Sequence, residues 1–352
     1  MSLSSLEQPF VKGPMSTPAG PVPQVSSSLT LQDRLGTYKV RWGIRRMNYT
    51  VNPGLYALGE PDKTSPVLVT ANYKMSFDQL RKELSGQNLW ILVLDTKGIN
   101  VWCSAGKGTF GTMELVSRIE SSGLAEVVSH RELILPQLAG PGVAAHLVKK
   151  LSGFKVVYGP IRSKDLPRFL DNGRKATPEM RIKTFTTWER IALIPMELVS
   201  AVKVGLVLMG ILFFLAFVWK SGEGTATALN HGLFTALAFF SAIVMGAILT
   251  PLLLPWLPGR AFSLKGFSLG LITAFVLVAF RFNELNTWTV RLEGLAWVLL
   301  IPAVSAYLAM NFTGASTYTS LSGVKKEMRY ALPGQIGAGV MGLILWIGSH
   351  FI

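Results

Sequence analysis

The chain has few of the residues from which most metal and redox sites are built. Of its 352 residues, one is cysteine and four are histidine. A single thiol excludes an internal disulfide. It also excludes an iron–sulfur cluster or a cysteine-rich zinc site made by this chain alone, because such sites need several thiolates. The histidines lack the HxxxH or HExxH spacing of a metal site: they are His130, His146, His231 and His350. Any electrons needed for a reaction must come from another molecule.

Acidic residues are also scarce, because 20 Asp and Glu stand against 34 Lys and Arg, which gives a net charge of +14. In the N-terminal part the basic residues are spread out among acidic ones, so the pattern does not favour nucleic-acid binding. The densest basic stretch is RWGIRR, at 41–46. Such a stretch is typical of a surface that lies near anionic lipid head groups.

Charge is distributed unevenly along the chain. Residues 1–195 contain 25 Lys and Arg and 15 Asp and Glu, whereas 196–352 contain 9 and 5. The second part has long apolar runs, and about 20 apolar residues suffice to span a bilayer as a helix. Five spans are predicted, at 199–219, 229–256, 264–282, 294–312 and 332–352. No ionisable residue falls at mid-span, which favours a membrane anchor over a transporter or a pump.

The sequence divides into four predicted parts. These are a flexible arm at 1–30, an α/β domain at 31–175, a basic linker at 176–198 and a transmembrane domain at 199–352. The arm is rich in Pro, Ser and Gly, and it lacks the cationic start and continuous apolar core of a signal peptide. The basic segment before the first span favours a multi-pass protein of the cytoplasmic membrane with its N-terminal domain in the cytoplasm.

Within the α/β domain, short apolar runs alternate with helical patterns. Buried strands are predicted at 66–72, 89–96, 131–136 and 154–160, and helices at 76–86, 112–123 and 142–153. Strand and helix in alternation predict a Rossmann-like fold with a parallel sheet covered on both faces. Ligands of such sheets bind beyond the carboxyl ends of the strands. The only cysteine follows the strand at 89–96 and therefore lies at that edge.

The segment around Cys103 has the signals of a short helix. Asn100 is a good N-cap and Gly108 is the residue type that ends helices, so a helix is predicted over 101–107. The helix N-terminus and Lys107 would both favour the thiolate form of Cys103. The small residues that follow the cysteine would let a broad flat group approach it, and a thiolate is a good ligand for a transition metal held in such a group. A small buried apolar residue is the other interpretation of a lone cysteine.

A second motif uses the same glycines. Gly106, Gly108 and Gly111 satisfy GxGxxG, the dinucleotide fingerprint, between a strand and a helix. The fingerprint needs a turn immediately after the strand, but ten residues separate Thr96 from Gly106. The acidic residue expected about 20 residues further on, at the end of the next strand, is also missing. The match is weak, and a nucleotide-dependent membrane oxidoreductase stays an alternative.

The segment NVWCSAGK, at 100–107, closely resembles the signature of the corrinoid proteins of mercury methylation, where alanine is more usual at Ser104. PVLVTANY, GKGTFGT, GPGVAAHLVKKLSG and VVYGPIRSKDLP also look like the corrinoid-binding domain shared with the large subunit of the corrinoid iron–sulfur protein of acetyl-CoA metabolism. This similarity covers about 60–175. A corrinoid domain joined to about five spans resembles the mercury family. The soluble relative instead carries a cluster-binding segment and a barrel, which this chain lacks.

The resemblance implies a bound cobalamin-type corrinoid, with Cys103 as the lower axial ligand of cobalt and the catalytic residue. The cofactor would lie against the short helix, and the helix residues carried over with Cys103 are Asn100, Val101, Trp102, Ser104, Ala105, Gly106 and Lys107. Further macrocycle contacts are expected in strand-end loops, at Thr70, Asn72, Gly142 and Val143. Those four residues fit a role as plain turn residues equally well.

The resemblance also implies an activity, that of a corrinoid-dependent methyltransferase. Thiolate donation to cobalt would favour release of the methyl group to Hg(II), a soft electrophile, forming methylmercury. The methyl group would come from a methyltetrahydrofolate-type donor through a separate methyltransferase. A ferredoxin-like partner with two 4Fe–4S clusters would supply the electrons. The alternative within corrinoid chemistry is a methyl carrier for another acceptor, such as a metalloid or the acetyl-CoA route.

Overall fold

The computed structural model describes residues 7–281, 287–315 and 321–351. The chain divides into two compact units, Met1–Lys183 and Thr184–Ile352. The boundary therefore falls within the predicted linker at 176–198. The first unit contains a sheet with helices, and the second contains the long apolar helices, so the predicted class of an α/β domain followed by a helical membrane domain is confirmed.

The sheet of the first unit has seven strands. They are β1 (Val11–Thr17), β2 (Gly20–Val25), β3 (Gly54–Leu58), β4 (Val67–Ala71), β5 (Leu89–Leu94), β6 (Glu132–Leu135) and β7 (Lys155–Tyr158). Their order is β1-β2-β3-β5-β4-β6-β7. Strands β4 to β7 are the four that the sequence predicts, and they pair with one another in parallel fashion. The sheet as a whole is mixed, because β1 pairs with β2, and β3 with β5, in antiparallel fashion.

The prediction of a flexible arm is wrong for residues 11–25, because they form the β1–β2 hairpin. Val22 and Val25 are buried in the core of the first unit, and Gly20 takes the positive φ of 103° that the tight turn requires. Prolines at 14, 21 and 23 hide the strand pattern in the sequence. Proline is tolerated at sheet edges, and β1 is an edge strand.

Within residues 7–183, seven α-helices accompany the sheet. They are α1 (Leu31–Arg41), α2 (Lys74–Glu83), α3 (Val101–Lys107), α4 (Thr112–Ser121), α5 (Leu124–Val127), α6 (Ala145–Ser152) and α7 (Leu166–Asp171). The central strands are apolar on both faces, so alternate residues enter two separate cores. Leu92 and Leu94 of β5 belong to one core, and Ile91 and Val93 belong to the other.

A buried ionic cluster joins α1 to α2. Asp33 accepts from the Lys74 ammonium at 2.5 Å and from the Arg81 guanidinium at 2.8 Å. Asp78 pairs with the same two cations at 2.6 and 2.9 Å. Burial alone would raise the pKa of Asp33, but its hydrogen bonds with Lys74 and Thr30 and the positive charge of Lys74 lower the pKa to about 2. The charges of two acidic and two basic side chains thus compensate one another in the protein interior.

The second unit consists of helices. They are α8 (Thr187–Ile191), α9 (Ile194–Trp219), α10 (Thr225–Val244), α11 (Thr250–Leu253), α12 (Phe262–Phe280), α13 (Trp288–Asn311) and α14 (Leu321–Gly348). A π-helical turn, Met245–Leu249, joins α10 to α11. In the described residues, five helical segments are long and apolar enough to cross a membrane, as predicted: Thr187–Trp219, Thr225–Leu253, Phe262–Phe280, Trp288–Gly314 and Ser322–Gly348.

Two segments begin ten or more residues before the predicted spans. The first begins at Thr187, because a capping box at Thr186 starts a helix inside the predicted linker. The last begins at Ser322 rather than at 332. The prediction started too late because three basic residues interrupt the apolar run in the first turns of this helix: Lys325, Lys326 and Arg329. Charged side chains end an apolar run, but they do not end a helix.

The helices of the second unit approach closely where their residues are small. Gly246, Gly266 and Gly270 all lie against α13, and a Cβ at Gly270 would come within 2.7 Å of the Pro302 Cα. Association of membrane helices depends on such packing, because lipid tails are as apolar as the side chains. Ser305 of α13 adds a hydrogen bond to the Ala242 carbonyl at 3.0 Å.

Candidate functional site

Asn72, which follows β4, helps to hold the loop after β5. Its Oδ1 accepts from the Thr96 N–H at 3.1 Å, the Thr96 hydroxyl at 2.8 Å and the Gly98 N–H at 3.0 Å. Its Nδ2 donates to Asp95 at 3.2 Å. Asn72 is buried, so these donors have no access to water. Asn72 therefore positions the loop that leads into α3, and it does not line the cavity described below.

The helix predicted over 101–107 is confirmed as α3. The Asn100 side chain caps it by accepting from the Cys103 N–H at 2.9 Å. Gly108 ends it in the left-handed conformation, with φ of 81°. Ser104 donates its hydroxyl back to the Asn100 carbonyl at 2.6 Å, which closes the first turn on its buried side.

The two faces of α3 differ in burial. Trp102, Cys103, Gly106 and Lys107 are exposed, whereas Ser104 and Ala105 are buried. Cys103 is thus not a small buried apolar residue. Gly106 lies three residues after Cys103, hence on the same face, and a Cβ there would meet no atom within 4 Å. Ser104 and Ala105 both face the core, and their contact with a bound group stays a prediction.

Gly142 and Val143 lie behind α3. A Cβ at Gly142 would collide with the Phe110 carbonyl and would come within 2.9 Å of the Ala105 Cα, so only glycine fits this contact. Val143 is buried in one of the two cores. These two residues therefore support the inner face of α3, and a contact between them and a cofactor stays a prediction.

A cavity of about 470 Å³ opens at the carboxyl edge of the sheet, next to α3. Four of the predicted site residues line it: Thr70, Asn100, Val101 and Trp102. Cys103 does not line this cavity. The segments that follow β6 and β7 complete the wall, including Pro136 and Ile161, and most of the lining is apolar. The structure therefore places the thiol on an open face beside the cavity rather than inside it.

Three further residues near α3 escaped prediction. Arg41 at the end of α1 lines the cavity, and the Arg46 guanidinium lies 5.8 Å from the centre of the Tyr73 ring. Burial raises the pKa of the Tyr73 hydroxyl, the charges of Arg46 and Arg41 oppose this shift, and a negative charge on Cys103 adds to it. The Tyr73 hydroxyl is buried without a hydrogen-bond partner in the part of the chain that the structure describes. The only sequence signal for these three residues is the basic stretch at 41–46, which contains the two arginines.

The glycines of the GxGxxG string do not form a phosphate-binding turn. Gly106 lies inside α3, Gly108 ends that helix and Gly111 is the N-cap of α4. A dinucleotide fingerprint places its first glycine in the turn that follows the strand. The local geometry therefore argues against the nucleotide interpretation of this string.

The metal-binding side chains of the described residues fit a metal ion that already has ligands from another molecule. Across residues 7–281, 287–315 and 321–351, no group of three or more His, Cys, Asp and Glu side chains could hold a metal ion. Cys103 offers a single thiolate, which suffices for one axial position of a metal in a macrocycle. The open face at Gly106 leaves room for a flat ring. The residues present therefore fit a corrinoid that contributes its own equatorial nitrogens.

Comparisons with known proteins concern this same region. Residues 42–170 match the family model described as CO dehydrogenase/acetyl-CoA synthase delta subunit. The gamma subunit of the acetyl-CoA decarbonylase/synthase complex of Methanopyrus kandleri is 36% identical over 126 residues, which are 34% of this chain and 26% of that protein. For the subunit from Methanocaldococcus jannaschii the identity is 35% over 129 residues, covering 36% of this chain and 26% of the relative.

The chain spans only 26% of the length of each of these two relatives. The matched range, 42–170, lies in the first unit and nearly coincides with the range of about 60–175 over which the sequence resembles a corrinoid-binding domain. The region that carries α3 and the cavity is thus similar to the family described as CO dehydrogenase/acetyl-CoA synthase delta subunit.

Proposed function

We propose that the protein is a membrane-anchored corrinoid methyl carrier that transfers a methyl group to Hg(II). One observation carries this proposal: the only thiol of the chain is exposed on a capped helix with an open face, within the segment NVWCSAGK. A structural cysteine would be buried. The match of residues 42–170 to the CO dehydrogenase/acetyl-CoA synthase delta subunit family supports a methyl carrier of the corrinoid type, as does the similarity of the chain to gamma subunits of acetyl-CoA decarbonylase/synthase complexes.

The corrinoid, when bound, supplies the cobalt that carries the methyl group. The residues of this chain would hold the Cys103 thiolate as a ligand for this metal. Asn100 fixes the first turn of α3, and Asn72 fixes the loop before it, so Cys103 has one defined position. Lys107 adds a positive charge one turn away, and Trp102 lines the adjacent cavity. With a corrinoid bound, electron donation from the thiolate would favour transfer of the methyl group with its bonding electrons.

The electron balance requires partners. A methyl group would be taken up as a cation equivalent from a methyltetrahydrofolate-type donor, through a separate methyltransferase, and would be passed to Hg(II) as a carbanion equivalent. Each complete cycle of uptake and transfer would therefore leave the carrier two electrons short. A single cysteine cannot form an iron–sulfur cluster, so a ferredoxin-like partner with two 4Fe–4S clusters is the proposed reductant.

The five apolar helical segments support residence in a membrane. We infer that this is the cytoplasmic membrane and that the first unit lies in the cytoplasm, because basic residues accumulate before the first segment. A cytoplasmic position also suits the proposed methyl donor and reductant, which are soluble.

A second function is favoured by the comparisons themselves. The relatives are subunits of acetyl-CoA decarbonylase/synthase complexes, so a methyl carrier of the acetyl-CoA route is the alternative. Both functions use the same thiol and the same cofactor. They differ in the acceptor of the methyl group.

The test uses the full chain, purified without oxygen and loaded with methylcobalamin. Parallel assays with Hg(II) and with an acetyl-CoA synthase plus CO and coenzyme A identify the acceptor.

We expect methylmercury to form, and we expect Cys103→Ala to abolish its formation while the fold is retained. Cys103→Thr, a poor cobalt donor, should retain corrinoid but lose transfer. Ser104→Ala changes the buried neighbour of the thiol and serves as the matched control with full activity.

Acetyl-CoA formation without methylmercury would replace the first function by the second. Undiminished methylmercury formation by Cys103→Ala would refute the role of the thiol in both. Absorbance of the purified protein provides a separate check. Bound NAD or flavin without a cobalt corrin spectrum would favour the oxidoreductase alternative.

A further inference from the structure

One face of α1 carries large apolar side chains that are exposed. Leu31 is 73% exposed, Leu35 49%, Tyr38 65% and Trp42, at the end of the helix, 48%. Their spacing of four, three and four residues places all four on a single side of the helix. We call these four residues the outer stripe. The opposite side of α1 is the packed one, since Val40 and Asp33 are buried there.

Basic side chains flank the outer stripe. Arg34 and Arg41 lie along one edge by helical position, and Lys39 lies along the other. Arg45 and Arg46 follow in the next turn of chain, next to the exposed Ile44 and Met47. Residues 31–47 contain a single acid, Asp33, which is buried and paired with Lys74 and Arg81. The exposed surface of this segment is therefore apolar along its centre and positive at its margins.

We propose that α1 and the turn after it dock on the surface of a bilayer that contains anionic lipid. An interfacial helix has large apolar side chains on one side and Lys and Arg beside them, and it lies in the head-group layer with its apolar side buried. Tyr and Trp favour this layer because their rings are apolar and their polar ends stay hydrated. The outer stripe and its basic margins have this arrangement.

The chain itself brings a bilayer within reach of α1. The first unit ends at Lys183, and the first apolar helical segment begins at Thr187. A short tether keeps the first unit at high local concentration near the lipid surface, so weak interfacial contacts suffice for docking. A protein partner would need its own acidic surface, whereas anionic head groups are present wherever the second unit is inserted.

Docking would also orient the candidate site. Arg41 belongs to the basic margin of the outer stripe, and it lines the cavity together with Trp102. Binding of α1 to lipid would therefore hold the mouth of this cavity near the head groups. The proposal does not rest on the proposed function, because it uses only the exposed face of α1 and its charges.

Hydrogen exchange tests the proposal on the full chain in lipid nanodiscs. Amides of residues 31–47 are compared between phosphatidylcholine discs and discs with equal parts of phosphatidylcholine and phosphatidylglycerol. We expect slower exchange of this segment in the anionic discs. Arg34→Gln should reduce that protection about fivefold, since one basic side chain near an anionic surface contributes about that factor to binding. Leu35→Gln should remove more, because it places a polar group at the centre of the outer stripe.

Met113→Gln is the matched control. Met113 is 68% exposed on α4, away from the outer stripe, and its substitution should leave the protection unchanged. Exchange elsewhere in the first unit reports whether each variant still folds. Equal exchange of residues 31–47 in the two lipid compositions would overturn the proposal and leave a protein partner as the occupant of this face. The same protection in Leu35→Gln as in the parent would also contradict it.

Discussion

Both units bury charged side chains, but they compensate them differently. In the first unit Asp33 and Asp78 share Lys74 and Arg81, so two acids meet two bases. In the second unit a single acid, Glu293, pairs with Arg281 at 2.9 Å. His231 lies 3.5 Å from the same Glu293 oxygen, and the other oxygen, Oε1, has no partner in the part of the chain that the structure describes.

The two units also differ in the reason why they require glycine. In the first unit Gly108 ends a helix with positive φ, which is a requirement of the backbone itself. In the second unit Gly266 and Gly270 have ordinary helical conformations, and neighbouring helices leave no room for a Cβ. The first unit is thus specified by turn and cap chemistry together with burial from water. The second is specified by close contact between helices.

The largest effect is expected where the ionic cluster of the first unit is broken. Asp33→Asn leaves Lys74 and Arg81 with one acid, and the free energy of unfolding of this unit should fall by about 3 kcal/mol. Chemical denaturation followed by near-ultraviolet circular dichroism measures the change. Glu293→Gln is the counterpart, and it should destabilise only the second unit. A loss below about 1 kcal/mol in Asp33→Asn would show that the cluster is not a stabilising element.

The same cluster predicts a dependence on pH. The pKa of Asp33 is about 2 in the folded chain against an ordinary value of 3.8. Because the folded pKa is the lower one, the stabilisation is complete above about pH 4 and is lost as the pH falls through about 2. Unfolding of the first unit should therefore become easier over this window. In Asp33→Asn this part of the pH dependence should vanish, and an unchanged profile would assign it to other carboxylates.

Asn72→Ala tests the loop that carries α3. Removing its amide leaves the N–H groups of Thr96 and Gly98 buried without an acceptor, which should cost about 2 kcal/mol of stability. The purified variant should also retain less corrinoid, measured by absorbance. Asn172, whose side chain bonds to the Lys175 carbonyl at an exposed turn, is the matched control. Equal corrinoid content in Asn72→Ala and Asn172→Ala would mean that Asn72 does not position the site.

A substitution in the second unit should have a smaller effect. Gly270→Ala places a methyl group against Pro302 and Ser305 and should lower the stability of the helical unit by about 1.5 kcal/mol. Titration with a denaturing detergent measures this. Gly337→Ala is the control, because a Cβ there meets nothing within 4 Å. Equal behaviour of the two variants would contradict the role given to close helix contacts.

The smallest effect on stability has the opposite sign. Gly106→Ala should stabilise α3 by roughly 0.5–1 kcal/mol, because alanine is the better helix former and its methyl group meets no neighbour. The same methyl group stands on the face of Cys103, so corrinoid binding should weaken. Thermal unfolding and corrinoid absorbance of one sample separate these outcomes. Tighter or unchanged corrinoid binding would place the ring elsewhere.

The sequence was sufficient to predict features that depend on near neighbours. Asn100 and Gly108 delimit α3 by cap chemistry, the four parallel strands are continuous apolar runs, and the five membrane segments are long ones. Features that depend on distant partners escaped prediction. Asn72 bonds to residues 24 and 26 positions away, and Arg281 to Glu293 12 positions away. The β1–β2 hairpin escaped because its prolines are typical of a flexible arm.

The most direct test of the account is the ligand environment of cobalt in the purified, corrinoid-loaded full chain. X-ray absorption at the cobalt edge distinguishes sulfur from nitrogen and oxygen in the axial position. The account predicts one sulfur neighbour in the parent and its loss in Cys103→Ser, with corrinoid still bound. An axial shell of only nitrogen or oxygen in the parent, unchanged by Cys103→Ser, would contradict the assignment of Cys103 as the lower ligand.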